Sequence, residues 1–507
     1  METFRSNPAP RLLIANRGEI AVRIIRACRD LGISPVAVYS EADRGALHVR
    51  LSDYAVAIGP PPARESYLVP ERILAAAKST GATLVHPGFG FLSENADFAR
   101  KVEEAGLTWV GPAPASIAAM GSKTESRQRM IAAGVPVVPG MTTPAESAEE
   151  IAAFGRANGF PLLLKAAAGG GGKGMRVVRA EAEVGEAFLR TRSEAKSYFA
   201  DDRVYAELLV EGSRHVEVQI LGDKTGRVIA LGERECSLQR RHQKVLEECP
   251  SAAVSPELRA RMEEVAVAAG KAVNYVSAGT VEFLLAKDGR FFFLEMNTRI
   301  QVEHPVTEMV YGVDLVVEMI RIARGEPMSI REKPSPRGHA IQCRIYAEDP
   351  AHGFAPSPGR IRRLRRPQGP GIRVDSGVED GDVVPLDYDP MVAKFIVWGQ
   401  DRDEAFRRMK RALSEARVEG IETSIPFFLA LLEDPDVVAN SVSTQFLDDW
   451  KYEPRRPAED VVAASVIAAA LASMEEAKKR RPGSAAVPDG VGLSSWRNAR
   501  ACVGVRE

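Results

Sequence analysis

Two acidic residues on neighbouring predicted strands have the spacing of a metal site. The segments GTVEFLLAK (279–287) and RFFFLEMN (290–297) are rich in apolar and aromatic residues, and Asp288-Gly289 between them is a strong hairpin signal. A two-residue loop there places Glu282 directly opposite Glu295. Because facing carboxylates repel each other, the pair predicts a cation between them, and oxygen ligands favour Mg²⁺ shared with substrate phosphates.

A row of polar residues follows the predicted metal pair. Every second residue from 295 to 303 is polar, and an extended chain would present these side chains on one face: Glu295, Asn297, Arg299, Gln301 and Glu303. Such a row offers a metal ligand, a cation and a carboxylate base where an anionic acceptor could meet the γ-phosphate of ATP. A solvated edge strand is the alternative interpretation.

A glycine-rich segment, LLLKAAAGGGGKGMRVV (162–178), joins two predicted strands. Consecutive glycines let several backbone amides approach an anion. Gly169, Gly171 and Gly174 have the spacing of a dinucleotide-binding fingerprint, but that motif requires a following helix, and here a β-branched strand follows. A Walker A loop would need Ser or Thr after Lys173. We therefore predict a mobile hairpin that closes over nucleotide phosphates, with a plain mobile turn as the alternative.

Basic residues elsewhere are candidate nucleotide contacts. In CSLQRRHQK (236–244), His242 and Lys244 are candidates for ribose and phosphate, and Lys123 and Lys165 are similar candidates. A solvated surface is the alternative for each. The residues alone thus indicate an enzyme that uses Mg-ATP to activate a small anion, and they do not identify that anion.

The bulk composition is that of an ordinary soluble protein. With 507 residues the chain should hold about three domains, and its net charge of -1 predicts no bulk attraction to nucleic acid or to an acidic membrane. The five scattered cysteines form no CxxC pair, which predicts reduced thiols in a cytosol-like compartment and no structural zinc. We see no secretory signal, and the apolar segment 461–474 predicts a helix too short to span a bilayer.

Alternating strands and helices must position these residues. Apolar strand patterns at 11–16 and 35–39 enclose a helical pattern at 18–31, and a further helix and strand follow from about residue 70. This order predicts a doubly wound α/β domain to about residue 110. A lid-like segment containing the glycine hairpin and a larger α+β domain from about residue 210 should follow.

Over residues 10–450 the sequence resembles the ATP-grasp family and, within it, the biotin carboxylases. The similarity rests on these segments: IANRGEIAVRIIRAC, HPGFGFLSEN, KAAAGGGGKGMRVV, RHVEVQ, ECSLQRRHQKV, EMNTRIQVEHPVTE and CRIYAEDP. It implies an α/β and α+β multidomain chain with a Rossmann-like first domain, an ATP-grasp lid and a biotin carboxylase C-terminal domain. The implied parts are 1–110 (N-terminal domain), 111–137 (linker), 138–209 (lid), 210–335 (catalytic subdomain), 336–450 (C-terminal domain) and 451–507 (helix, linker and tail of unknown role).

The resemblance also implies a reaction. Bicarbonate would attack MgATP to give carboxyphosphate, which would carboxylate the biotin of a separate carrier protein, as the first half-reaction of an acyl-CoA carboxylase in fatty acid biosynthesis. A pyruvate or 2-oxo acid carboxylase is the alternative, and another ATP-grasp ligase, an NAD-dependent oxidoreductase or a non-catalytic scaffold is less expected. The implied cofactors are ATP and Mg²⁺ or Mn²⁺. Further expectations are a separate carboxyltransferase, a homodimer with contacts at Arg26 and Asp30, and a cytoplasmic location. The Met409-Lys410 pair lies in an ordinary helical pattern, so the chain is not expected to carry biotin itself.

Site roles follow from the same resemblance. The implied ATP contacts are Lys123, Lys165, Gly171, Gly172, Met175, Glu207, Leu208, Val210, His215, Gln239, His242, Glu282 and Glu295. The implied metal ligands are Glu282, Glu295 and Asn297, and the implied bicarbonate contacts are Lys244, Arg299, Gln301 and the backbone of Val302. The implied catalytic residues are Arg299, Glu303, Lys244 and Arg344, with Glu303 as base and Arg344 stabilising the ureido oxygen of biotin. Arg344 and Phe89 would contact biotin. Two positions depart from the common family pattern, since Phe89 replaces tyrosine and Leu208 replaces lysine.

Overall fold

The computed structural model describes residues 10–167, 174–454 and 459–479. The chain divides into two units, 1–453 and 454–507. Gly171 and Gly172, predicted to contact ATP, lie outside the described residues. So does the tail beyond residue 479.

The first domain is a doubly wound α/β fold, as predicted. Its strands pair in parallel in the order β3-β2-β1-β4-β5, so the first strand lies in the middle of the sheet. Its elements are β1 (Arg11–Ile14), α1 (Gly18–Asp30), β2 (Ser34–Ser40), α2 (Leu47–Leu51), β3 (Tyr54–Gly59), α3 (Pro70–Thr80), β4 (Leu84–His86), α4 (Ala96–Glu104) and β5 (Thr108–Trp109). Buried side chains such as Leu13, Val38 and Val85 form the core beneath the helices.

A helical linker and a small lid come next. The lid strands form an antiparallel sheet in the order β7-β6-β8, flanked by helices. The elements are α5 (Pro114–Gly121), α6 (Lys123–Ala132), α7 (Ala148–Asn158), β6 (Leu162–Ala166), β7 (Met175–Val178), α8 (Val184–Phe199) and β8 (Val204–Leu208). The strand predicted after the glycine segment is therefore β7, and it pairs with β6 so that Lys165 faces Met175.

Residues 214–323, here called the central part of the chain, are built on a large antiparallel sheet. Its elements are β9 (Arg214–Gly222), β10 (Val228–Arg240), β11 (Gln243–Cys249), α9 (Pro256–Ala272), β12 (Ser277–Leu285), β13 (Phe291–Asn297), α10 (His304–Tyr311) and α11 (Leu315–Ala323). The sheet has eight strands in the order β13-β12-β9-β10-β11-β14-β21-β19, and the C-terminal part supplies β14 (His339–Tyr346), β19 (Ile372–Ser376) and β21 (Met391–Gly399). It continues without a break into the C-terminal part, because β11 pairs with β14.

The C-terminal part adds strands to this sheet and covers them with helices. Its elements are β14 (His339–Tyr346), β15 (Glu348–Asp349), β16 (Ala355–Pro356), β17 (Gly359–Arg360), β18 (Arg363–Arg365), β19 (Ile372–Ser376), β20 (Val383–Val384), β21 (Met391–Gly399), α12 (Arg402–Glu415), β22 (Arg417–Glu419), α13 (Ile425–Leu431), α14 (Pro435–Val438) and α15 (Phe446–Asp449). In the second unit, the predicted late helix is α16 (Glu459–Lys479). No helix among the described residues is long and apolar enough to cross a membrane.

The β12–β13 hairpin corrects the predicted turn and keeps the predicted pair. The amide of Ala286 donates to the carbonyl of Arg290 at 2.8 Å, so the loop holds three residues rather than two. If this register continued along the hairpin, Glu282 would lie opposite Leu294 instead of Glu295. A β-bulge at Leu294 inserts one extra residue into β13 and restores the alignment, and Glu282 pairs with Glu295 as predicted.

The row after Glu295 is not a continuous strand. Strand β13 ends at Asn297, and residues 298–303 form an irregular turn that leads into α10. An extended chain would place Thr298 and Ile300 on the face opposite the polar row, but both are buried, as are Gln301 and Glu303. The alternation therefore does not separate a buried face from an exposed one, because the turn packs on both sides.

Candidate active site

A cleft of about 1030 Å³ lies between the first domain, the lid and the large sheet. It brings together nearly all the described residues that the sequence singles out: Phe89, Lys123, Lys165, Met175, Glu207, Leu208, Val210, His215, Gln239, His242, Lys244, Glu282, Glu295, Asn297, Arg299, Gln301, Val302 and Arg344. Glu303 is fully buried at the edge of the cleft and contacts two residues that line it, Lys244 and Arg344. The fold thus gathers residues from distant parts of the chain.

The carboxylates of Glu282 and Glu295 face each other on adjacent strands. Burial raises the pKa of Glu295, and the nearby Glu282 carboxylate raises it further. A divalent cation between them would relieve this repulsion. The amide of Asn297 lies 2.9 Å from Glu282, so three oxygen-bearing side chains meet here. This donor set fits Mg²⁺ or Mn²⁺.

The ammonium of Lys244 sits among three buried carboxylates. Its Nζ lies 2.7 Å from Glu282, 2.8 Å from Glu303 and also contacts Glu217. Burial alone would lower the pKa of Lys244, but the three carboxylates raise it well above its ordinary value. Lys244 is therefore a fixed positive charge beside the predicted metal pair, and it can attract an anion.

Glu303 is held between two cations. Its carboxylate lies 2.8 Å from Lys244 and 3.0 Å from Arg344. Burial would raise its pKa, but Lys244, Arg344 and the more distant Arg234 lower it well below its usual range. Glu303 is consequently ionised at neutral pH and can accept a proton. Arg344 is oriented by a second carboxylate, Glu247, which its Nε contacts.

Arg299 lies in the turn after β13 and is tied to three neighbours. Its guanidinium donates to Asn297 Oδ1 and Gln301 Oε1, both at 3.0 Å, and to Glu94 Oε2 at 2.9 Å. The amide of Gln301 donates in turn to Glu282 at 3.0 Å. The predicted bicarbonate residues Arg299 and Gln301 thus lie next to the predicted metal residues and to Lys244.

The lid end of the cleft carries the predicted nucleotide contacts. Lys165 contacts the carboxylate of Glu207, whose other oxygen accepts from Arg127 at 3.0 Å. Burial lowers the pKa of Lys123. The neighbouring lining is apolar at Leu163, Met175, Leu208, Leu284 and Leu294, which suits a flat aromatic base.

A strained hairpin tip brings a histidine into the cleft. Arg241 and His242 connect β10 to β11 in a two-residue turn, with φ of 51° and 62°. Both residues are therefore in the left-handed region that favours glycine. His215, on β9, accepts a hydrogen bond at Nδ1 from the amide nitrogen of Gln239 at 3.0 Å, and its ring lies 3.1 Å from Glu282.

Four residues of this network were not singled out by sequence: Glu94, Glu217, Arg234 and Glu247. Arg234 has no exposed surface and donates to Glu217, Gln219 and Thr280. A signal was present on β9, where His215, Glu217 and Gln219 alternate with apolar residues. The strand is buried on both faces, so this polar row could have been read as a site lining.

Family models match three consecutive parts of the chain. Residues 8–117 match the biotin carboxylase N-terminal domain, 122–331 the carbamoyl-phosphate synthase L chain ATP-binding domain, and 342–449 the biotin carboxylase C-terminal domain. Together with a lid over an antiparallel sheet that carries paired carboxylates, these matches define an ATP-grasp enzyme.

Individual relatives extend over most of the chain. Biotin carboxylase 1 of Bacillus subtilis is 52% identical over 442 residues, which cover 87% of this chain and 98% of the relative. A biotin carboxylase of Pseudomonas aeruginosa is 50% identical over 440 residues, with coverage of 86% and 98%. The chain belongs to the biotin carboxylase family of ATP-dependent ligases.

Solved structures agree with this assignment. A biotin carboxylase complex from Campylobacter jejuni is 43% identical with a TM-score of 0.85, covering 87% of this chain and 98% of its own. The biotin carboxylase domain dimer of Hydrogenobacter thermophilus 2-oxoglutarate carboxylase, solved with MgADP and bicarbonate, is 45% identical with a TM-score of 0.83 and coverage of 87% and 97%.

Proposed function

We propose that this chain uses MgATP and bicarbonate to carboxylate biotin on a separate carrier protein. The observation that carries the proposal is the placement of Glu303. Its ionised carboxylate lies between Lys244 and Arg344, and Lys244 also contacts Glu282 of the metal pair. The closeness of these side chains supports a base, an anion-binding cation and a metal site that act together in one cleft.

In the first step the site would hold bicarbonate and ATP together. Lys244, Arg299 and Gln301 offer donors for bicarbonate beside Glu282, Glu295 and Asn297, which would hold the magnesium. That metal would neutralise phosphate charge when bound. Glu303 accepts the bicarbonate proton, so that a bicarbonate oxygen attacks the γ-phosphorus and ADP leaves, giving carboxyphosphate.

In the second step biotin would enter near Arg344. Carboxyphosphate releases phosphate and CO₂, and the phosphate, aided by Glu303, takes the proton from biotin N1. Negative charge then develops on the ureido oxygen, and the guanidinium of Arg344, held by Glu247, stabilises it. The deprotonated N1 attacks the released CO₂, which forms the N–C bond of carboxybiotin. Phe89 lines the same cleft with an apolar ring, so no hydroxyl is available at that position.

The partners follow from what the chain must exchange. We infer a separate biotin carrier and a separate carboxyltransferase, which selects an acyl-CoA or, alternatively, a 2-oxo acid. Arg26 and Asp30 are exposed one turn apart on α1, a position compatible with the inferred homodimer contact. The cytoplasmic location stays a prediction.

The test is bicarbonate-dependent ADP release by the purified chain, with and without free biotin. We expect biotin to stimulate turnover in the wild type and Glu303→Gln to lower it by at least about 100-fold, the scale of a lost general base. Glu318→Gln serves as a matched control. Glu318 is buried in α11 and accepts a hydrogen bond from the hydroxyl of Ser329, away from the cleft. Turnover indifferent to biotin and to Glu303 would mean that the cleft uses another acceptor.

A further inference from the structure

Lys394, on β21, is a fully buried ammonium, with no exposed surface. Its Nζ donates to the backbone carbonyl of Val302 at 3.0 Å. It also lies 3.1 Å from Glu19 and 3.8 Å from Asp375. Burying a charge is costly unless it is paired and hydrogen-bonded. One of its three partners is the main chain of the turn that carries the site residues.

That turn, residues 298–303, takes its shape from anchors rather than from regular secondary structure. Glu94 accepts from the amide of Thr298 at 3.1 Å, and the ring of His304 bonds the carbonyl of Gln301 at 2.7 Å. Lys394 holds the next carbonyl, that of Val302. Because a peptide is planar, fixing this carbonyl fixes the Val302–Glu303 peptide and the starting direction of the Glu303 side chain.

The counter-ions of Lys394 come from two other parts of the fold. Glu19 is the second residue of α1 in the first domain, and Asp375 lies on β19 at the edge of the large sheet. The start of α1 packs tightly here, since a Cβ on Gly377 would come within 2.6 Å of the Glu19 nitrogen. Asp375 is itself fixed by Arg373 at 2.8 Å. Glu19 and Asp375 thus hold the ammonium of Lys394 in place while it donates a hydrogen bond to the Val302 carbonyl.

We propose that Lys394 is a positioning residue that sets the geometry of the Gln301-Val302-Glu303 turn for the anion. It lies behind the turn, with no part in the reacting set, and acts through the Val302 carbonyl. The identity of the anion as bicarbonate rests on the proposed function. The positional role of Lys394 rests on its own contacts.

The kinetic test compares four variants in bicarbonate-dependent ADP release. Lys394→Met removes the donor, and we expect the KM for bicarbonate to rise about ten- to a hundredfold, with the KM for ATP nearly unchanged. The double variant Glu19→Gln/Lys394→Met removes both members of the ion pair, so no unpaired Glu19 carboxylate is left buried. The KM for bicarbonate should still rise as in Lys394→Met. Glu19→Gln alone keeps the donor and should leave the bicarbonate KM near wild type.

Arg402→Met is the matched control for a structural effect. Arg402 pairs with the buried Glu248 at 2.7 Å in the same part of the chain and has no contact with the turn. It should lower stability without moving the bicarbonate KM. A bicarbonate KM within about twofold of wild type in both variants lacking Lys394, with activity falling only as in Arg402→Met, would overturn the proposal.

Hydrogen–deuterium exchange separates this proposal from the proposed function. We expect faster exchange of the 298–303 amides in both variants lacking Lys394, and unchanged exchange in Glu19→Gln and Arg402→Met. This readout needs no turnover. Unchanged exchange in Lys394→Met would refute the positional role, whereas a wild type that releases no ADP with bicarbonate would refute only the proposed function.

Discussion

At the residue scale, the chemistry of the cleft depends on how one ammonium is shared. Lys244 contacts Glu217, Glu282 and Glu303, and each of these carboxylates also contacts other groups. Glu217 accepts a hydrogen bond from the fully buried Arg234, Glu282 lies opposite Glu295, and Glu303 pairs with Arg344. Charge is therefore balanced across the cluster rather than within isolated pairs.

Replacing Lys244 by methionine should unbalance this cluster. We expect kcat/KM for ATP turnover to fall at least about 100-fold and the unfolding free energy to drop by about 3 kcal/mol, because three buried carboxylates lose their shared cation. Added Mg²⁺ should restore part of the stability, measured by urea unfolding, because it binds only the folded site. Lys333→Gln, which removes a partly exposed ion pair with Glu263, is the control and should change neither quantity. A stable Lys244→Met enzyme would contradict this account.

At the element scale, two hairpins place the site side chains by irregular means. In β12–β13 a bulge at Leu294 compensates for the longer loop and keeps Glu282 opposite Glu295. In β10–β11 a tight turn puts Arg241 and His242 in the left-handed region. Such irregularities are tolerated where they aim functional side chains.

Arg241→Gly should relieve strain at the tip of β10–β11. Arg241 is exposed and has a φ of 51°, which glycine adopts without steric cost, so we expect a gain of up to about 1 kcal/mol in unfolding free energy. The comparison is Arg44→Gly, also exposed but with a φ of -49°, where the same change should cost about 0.5–1 kcal/mol. Urea unfolding measures both. Equal losses at the two positions would show that the tip is not strained.

At the scale of the whole molecule, one sheet joins the central part of the chain, residues 214–323, to the C-terminal part. Arg344 reaches Glu303 because β14 pairs with β11, which itself starts at the hairpin of Lys244. The first domain contacts the turn 298–303, which carries Glu303, through Glu94. The cleft is therefore complete only when these parts are folded together.

Two buried histidines of the first domain allow a prediction of how the free energy of unfolding depends on pH. Burial lowers the pKa of His48 to about 4 and that of His86 to about 3. Both histidines are neutral in the folded state. Below about pH 6.5 they become protonated on unfolding, so the unfolded state binds more protons. The free energy of unfolding therefore decreases as the pH falls. Between about pH 6.5 and 4 each histidine should contribute a slope of up to about 1.4 kcal/mol per pH unit.

His86→Asn tests this expectation. Asn offers an oxygen in place of the Nδ1 that accepts from the amide of Gly88 at 3.0 Å, and it does not titrate. Urea unfolding at several pH values between 7.5 and 4.5 should show that the variant loses less stability on acidification than the wild type. Parallel curves would mean that His86 does not contribute to the pH dependence.

The local chemistry and much of the fold follow from the amino-acid sequence alone. Periodicity gave the doubly wound first domain, and the Asp288-Gly289 hairpin gave the facing pair Glu282 and Glu295, since strand pairing is local in sequence. The motif resemblance gave the family and a set of candidate site residues, and the described ones gather around one cleft. These results depend on short-range patterns and on residue types that suit one chemistry.

The partners of the charged groups, in contrast, are set by tertiary packing. The loop at Asp288-Gly289 holds three residues rather than the predicted two, and a bulge in β13 restores the predicted pairing. Neither the loop length nor the bulge can be inferred from the other. The contacts of Lys394 with Glu19 and Val302 join segments far apart in sequence. Glu217 alternates with apolar residues on β9, but that pattern does not say that its carboxylate meets Arg234 and Lys244. Long-range packing sets which charge lies beside which, and a linear pattern carries no record of it.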